Sequence, residues 1–161
     1  MRESLCAAVL FTLLTLLVGC SAKPQPVSVS PGLDVEVYTL AAGQAAHTTE
    51  ARDPATGGAV YLQQPPIITA SAVATVGEVE TDSANHRPPG LVFRLTSAGG
   101  AKMSRATAQP SGQLAIVIGG QLVSMPKILS PVGQEFEISG IDQQFNPIVD
   151  ALLRRPPKKS P

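Results

Sequence analysis

FRLTSAGGAKMSRATAQPSGQLAIVIGGQLVSMP, residues 93–126, holds a strand, a helix and a hairpin in close succession. Leu91, Phe93 and Leu95 alternate with Val92 and Arg94, so the two sets belong on opposite faces of a strand. Thr96 stands where a helix N-cap is expected, ahead of a helix over residues 97–109. In its interior a glycine costs about 1 kcal/mol relative to alanine, less near the helix start. The Gly99-Gly100 pair therefore predicts close approach to another backbone. Met103, Ala106 and Thr107 form the inward stripe. Pro110-Ser111-Gly112 breaks the helix. Leu114-Ala115-Ile116-Val117-Ile118 is apolar at every position, which marks a central strand covered on both faces. Gly119-Gly120 supplies the positive φ angles of a two-residue hairpin turn, and residues 121–125 return antiparallel. Pro126, which has no N–H, is expected to end the pairing.

Working upstream, residues 83–90 read SANHRPPG, a polar turn between paired strands at 78–82 and 91–95. Before it, Thr69 is the expected cap of a short helix over 70–74, with Gly77 ending that piece. Val60-Tyr61-Leu62 is a short β-prone run broken by Pro65-Pro66. Residues 41–58 lack periodicity and read as a loop, and residues 34–40 (DVEVYTL) as an edge strand. Downstream, residues 136–139 form a further strand. Ile141, Phe145, Ile148 and Leu152 have helical spacing, but Pro147 cannot donate inside a helix. A 3₁₀ turn at 142–145 and a helix from Pro147 to about Arg154, with Asn146 as cap, avoid that cost.

The remaining sequence frames this unit. Arg2, an apolar run over residues 5–18 and Leu17-Val18-Gly19-Cys20 have the form of a lipoprotein leader, with an ordinary signal peptide or uncleaved anchor as the alternatives. Cleavage before Cys20 would leave its sulfur and new amine to carry acyl chains, anchoring well beyond what one chain gives. Ser21 in place of Asp favours the outer membrane, facing the periplasm. Residues 1–19 are then the signal peptide, and residues 20–58 the lipidated Cys, a Pro/Ser-rich tether and the loop. Residues 59–155 are the compact domain and 156–161 a basic tail. Cys6 lies in the leader, so the mature domain has no thiol for a disulfide, a metal or a nucleophile.

Composition excludes several functions. The formal net charge is zero, and no basic footprint suggests nucleic acid. Gly99-Gly100-Ala101-Lys102 lacks the spacing of a phosphate loop, and no Gly-x-Ser-x-Gly elbow occurs. His47 and His86 are the only histidines. His86, near Asp82 and Asn85, is the sole acid–base candidate, against a solvated turn. Glu78, Glu80 and Asp82 alternate as a solvated sheet face would. No catalytic residue, metal ligand set or cofactor is expected.

These elements predict a small α+β domain, a mostly antiparallel sheet with two or three helices packed on one face. Their order resembles the head subdomain of the first periplasmic domain of SecD. Val60-Tyr61-Leu62 and Ile68-Thr69 resemble that family's opening strand and helix cap. Leu95-Thr96, Gly99 and Thr107 are similar to residues around its helix. Leu114-Ala115-Ile116-Val117, the glycine turn, Val123-Ser124 and Pro126 resemble its Leu-Ala-Ile-Val strand, turn and Ser-x-Pro. Ile138-Ser139-Gly140 resembles the approach to its last helix. Ala98 and Gly119 depart from the Glu and Asp common there. The membrane helices tied to the proton-coupled step are missing from this sequence.

The resemblance therefore implies the head's fold and a binding habit rather than a pump. It implies a lipid-anchored periplasmic module contacting exported polypeptide or Sec translocase components, with Met103, Arg105, Val123, Met125 and Ile128 as candidate contacts. The alternatives are an envelope lipoprotein that docks on another envelope protein and, more remotely, a hydrolase.

Overall fold

The computed structural model describes residues 34–79, 90–109, 112–141 and 143–154. The leader, Cys20 and the tether lie outside the described residues, as do Glu80, Asp82, His86, Pro110-Ser111, Asp142 and the tail from residue 155. Two antiparallel sheets form the body. The first contains β1 (Val35–Ala41), β2 (Thr48–Arg52), β3 (Ala59–Gln63), β6 (Leu114–Ile118) and β7 (Gln121–Ser124), in the order β2-β3-β1-β6-β7. The second contains β4 (Val73–Val79), β5 (Gly90–Leu95) and β8 (Glu135–Ser139), in the order β4-β5-β8. The helices are α1 (Ser97–Ala106) and α2 (Asn146–Leu152), with 3₁₀ turns at Ala70–Ala72 and Gln143–Phe145.

Alternation on the strands distributes the core. Val35 and Val37 of β1 and Leu114, Ile116 and Ile118 of β6 point to one face of the five-stranded sheet. They share one cluster with Leu91, Phe93 and Leu95 of β5, Ile138 of β8, Met103 of α1 and Leu152 of α2. Each fully buried Leu, Phe or Met there contributes roughly 1.5–3 kcal/mol. The other face carries Tyr38, Leu62, Ala115, Val117 and Leu122, a second cluster. Both faces of β6 are thus covered, as its apolar run predicts.

Several expectations hold in detail. The Thr96 hydroxyl accepts from the Gly99 N–H at 3.1 Å. A Cβ on Gly99 would stand 2.8 Å from the Ala72 carbonyl oxygen, and one on Gly100 would collide with the Gln134 side chain, so both glycines permit close approach. Gly119 and Gly120 have φ of 57° and 76°, as a tight hairpin turn requires. Phe93 sits opposite Phe136, their rings stacked at 5.1 Å. The 3₁₀ turn before α2 is present, and Pro147 falls in the first turn of α2, where its missing N–H costs nothing.

Other expectations are corrected. Residues 35–41 form no edge: β1 lies between β3 and β6, paired with β6 from Val35↔Ile118 to Thr39↔Leu114. The loop expected over 41–58 contains β2, which pairs with β3 from Thr48↔Gln63 to Arg52↔Ala59. Its sequence, TTEAR, has one apolar side chain and therefore no hydrophobic periodicity to read. The sheet thus takes in residues ahead of the expected start at Ala59.

The short helix at 70–74 shrinks to a 3₁₀ turn without a side-chain cap bond, and β4 begins at Val73. Gly77 lies inside that strand. Helix α1 ends at Ala106, which is exposed, so the inward stripe is Gly99, Gly100, Met103 and Thr107. Pro126 does not stop the pairing, because its carbonyl accepts from the Leu114 N–H at 3.0 Å. Asn146 opens α2 itself, and Phe145 takes the N-cap position.

Candidate functional site

The turn joining β2 to β3 is built by Asp53. Its carboxylate accepts from the Ala55 N–H at 2.8 Å and the Thr56 hydroxyl at 2.6 Å, an Asx turn. Those bonds hold the Asp53 carboxyl below its usual range, the Thr56 hydroxyl contributing most. Gly57, with φ of 71°, completes the reversal, and its N–H donates to the Asp53 carbonyl at 2.8 Å. The hairpin packs Ala51, Val60 and Leu62 against the second apolar face of the sheet.

Between this hairpin and the β6–β7 hairpin lies an open cleft of about 560 Å³. Its apolar surface comes from Tyr38, Leu62, Val117 and Leu122. Its polar wall carries Glu36, Glu50, Arg52 and Asp53, with Gln64, Gln121 and Gln144 around it. On β1, Glu36 and Tyr38 share a face by strand alternation. The Tyr38 hydroxyl donates to Glu36 Oε2 at 2.8 Å. Burial, reinforced by that bond, pushes the Tyr38 phenol up to about 12. Arg52 Nη1 donates to the Gly57 carbonyl at 3.3 Å.

A second cleft of about 450 Å³ lies along β7, lined by Val123, Ser124 and Met125 on one side and by Asp53, Pro54 and Ala55 on the other. Phe145 reaches both clefts, as do Asp53 and Pro54. β7 is the last strand of its sheet.

The candidate contacts separate on this framework. Val123 and Met125 both line the second cleft, but Val123 is 4% exposed and packed in the main core, whereas Met125 is half-buried against the second apolar cluster. Met103 and Ile128 are packed in the main core and line neither cleft. Arg105 is exposed on α1 in a separate shallow depression with Lys102, Pro66 and Ile67. Residue-type reasoning passed over Glu36, Tyr38 and Leu62. The Val35/Glu36/Val37/Tyr38 alternation was the available signal, but β2, which completes the wall, gave none.

Among the described residues no group of three His, Cys, Asp or Glu side chains could hold a metal ion. His47 is exposed. Among the same residues no helix is long and apolar enough to cross a membrane.

Two packed layers of antiparallel sheet and helix, with a clefted apolar face, define an α+β domain of the kind found in SecDF. A family model described as SecDF, P1 head subdomain, matches residues 44–147, and the chain belongs to that family. Two solved structures share its fold. One is a SecDF described as a membrane component that enhances protein export, 18% identical with a TM-score of 0.50, covering 74% of this chain and 60% of its own. The other is SecDF in a super-membrane-facing form, 20% identical with a TM-score of 0.52, covering 76% of this chain and 18% of its own. This chain therefore corresponds to only part of either relative. No curated protein matches it.

Proposed function

We propose that this chain is a non-catalytic, lipid-anchored periplasmic module that binds extended polypeptide, in keeping with a SecDF relative described as enhancing protein export. The observation that carries the reading is the second face of the five-stranded sheet. It is apolar, clefted and bordered by the terminal strand β7. An extended segment can pair with a terminal strand through its backbone while its alternate side chains enter pockets. Backbone pairing is indifferent to sequence, which suits a protein that meets many clients. Met125, just past the end of β7, is the contact to expect there, because polarizable methionine adapts to varied side chains.

The leader supports an anchor at Cys20. The Gly119 N–H donates to the Asp34 carbonyl at 2.8 Å, so the tether joins the domain beside the β6–β7 turn. Residues 21–33 can reach at most roughly 45 Å when extended. Partners would be exported polypeptides and, through them, Sec machinery, at an outer membrane facing the periplasm.

In-cell photo-crosslinking from position 125, with mass spectrometry of the products, tests the reading. Many secretory precursors support it. One dominant envelope protein replaces it with a docking role. A Cys20→Ser variant that still partitions wholly with membranes removes the anchor from it.

A further inference from the structure

We propose that the larger cleft selects polypeptide segments in which an apolar side chain is flanked by lysine or arginine. This rests on the polypeptide-binding reading and narrows its client class. The apolar floor comes first. Tyr38, Leu62, Val117 and Leu122 are each 5–7% exposed, yet they line an open space of about 560 Å³. That volume suits one or two side chains rather than a folded domain.

The charges on the wall set the neighbour. Glu36, Glu50 and Asp53 face one cation, Arg52. Asp53 is committed to its turn, with both carboxylate oxygens occupied. Arg52 is drawn toward the Gly57 carbonyl at the hairpin end. Glu36 is different. Among the described residues only Oε2 is engaged, by the Tyr38 hydroxyl, and the residue is half-buried at the floor. An ionised carboxylate accepts several hydrogen bonds, so Oε1 keeps its capacity. The Tyr38 bond fixes one rotamer and so lowers the ordering cost of receiving a cation. Half-burial also weakens solvent screening, so this pair is worth more than an exposed one. Exposed Glu50 adds negative potential at the mouth. A lysine or arginine stem can cover apolar surface while its head reaches Glu36.

The test uses the full chain in detergent and fluorescent ten-residue peptides. One peptide alternates leucine with lysine and serine. Its counterparts carry glutamine or glutamate for lysine. Fluorescence anisotropy reads affinity at low and high salt. The lysine peptide should bind about tenfold tighter than the glutamine one at low salt, and the gap should narrow as salt rises. Glu36→Gln keeps an acceptor for Tyr38 and should erase the gap between the lysine and glutamine peptides. Equal binding of the lysine and glutamine peptides by the unmodified chain overturns the selectivity and leaves polypeptide binding standing. A lysine preference that survives Glu36→Gln with Glu50→Gln also overturns it. Failure of every peptide to bind overturns both readings, as does a dimer that buries this face.

Discussion

The Thr107 hydroxyl accepts a 2.7 Å hydrogen bond from the Val132 N–H while donating to the Met103 carbonyl at 2.8 Å. Thr107 is 0% exposed, the one buried polar residue among those described. It ties the end of α1 to the segment leading into β8. Thr107→Val keeps the shape but leaves the Val132 N–H without its partner. The expected loss is about 1–3 kcal/mol of unfolding free energy in urea titrations. Thr107→Ser keeps both bonds and loses one methyl, so it should cost about 1 kcal/mol. A larger loss for Thr107→Ser than for Thr107→Val would mean that packing, not the hydrogen bond, is what Thr107 supplies.

Gly99 reports on the contact between α1 and the Ala70–Ala72 turn. In an exposed helix Gly→Ala would gain about 1 kcal/mol. Here the new Cβ meets the Ala72 carbonyl at 2.8 Å, and that carbonyl already accepts from the Thr96 N–H at 2.9 Å. Backbone cannot yield as a side chain can. Gly99→Ala should therefore destabilise by about 1–3 kcal/mol. A raised melting temperature would show that the turn moves away freely.

Tyr38 gives the domain a pH signature. In the unfolded chain its phenol ionises near its ordinary value, about 10. In the folded chain burial first, and the bond to Glu36 second, delay ionisation to about 12. The folded pKa is the higher one, so the stabilisation is fully present below pH 10 and is lost as pH rises from about 10 to about 12. The unfolded state releases its proton first and gains the advantage. Tyr38→Phe should flatten this decline, by up to about 2 kcal/mol at the alkaline end. Denaturant titrations of both proteins from pH 8 upward give the comparison. Parallel curves would mean that the phenol is not sheltered.

The sequence was legible where a side-chain pattern had one physical meaning. Leu114-Ala115-Ile116-Val117-Ile118 could only be a strand covered twice, and the glycine pair after it could only be a tight turn. Thr96 before a helical run located the cap of α1. The candidate site was less legible because its walls are held by long-range pairing. TTEAR becomes β2 by borrowing register from β3, and no local propensity announces that. Val35 and Val37 alternate as an edge strand would, and only the pairings to β3 and β6 make β1 central. The cleft follows from those two placements. Met103, Val123 and Ile128 have chemistry suited to binding, but an apolar residue facing the core and one facing a ligand look alike in sequence.

Met125 and Ile128 separate binding from folding on the same side of the domain. Met125 is half-buried at the rim of the β7 cleft, so Met125→Ala removes surface that a client segment would touch. Its loss of stability should be small, roughly 1 kcal/mol, because little core contact is removed. Peptide affinity should fall several-fold. Ile128 is 7% exposed in the main core, and its N–H donates to the Gly112 carbonyl at 3.1 Å. Ile128→Ala opens a cavity and should cost about 2–4 kcal/mol, with affinity unchanged for the fraction that remains folded. Thermal melts and anisotropy titrations on both variants resolve the two effects. Undiminished binding by a folded Met125→Ala protein would remove β7 from the client surface. The cleft beside Glu36 would then carry binding alone.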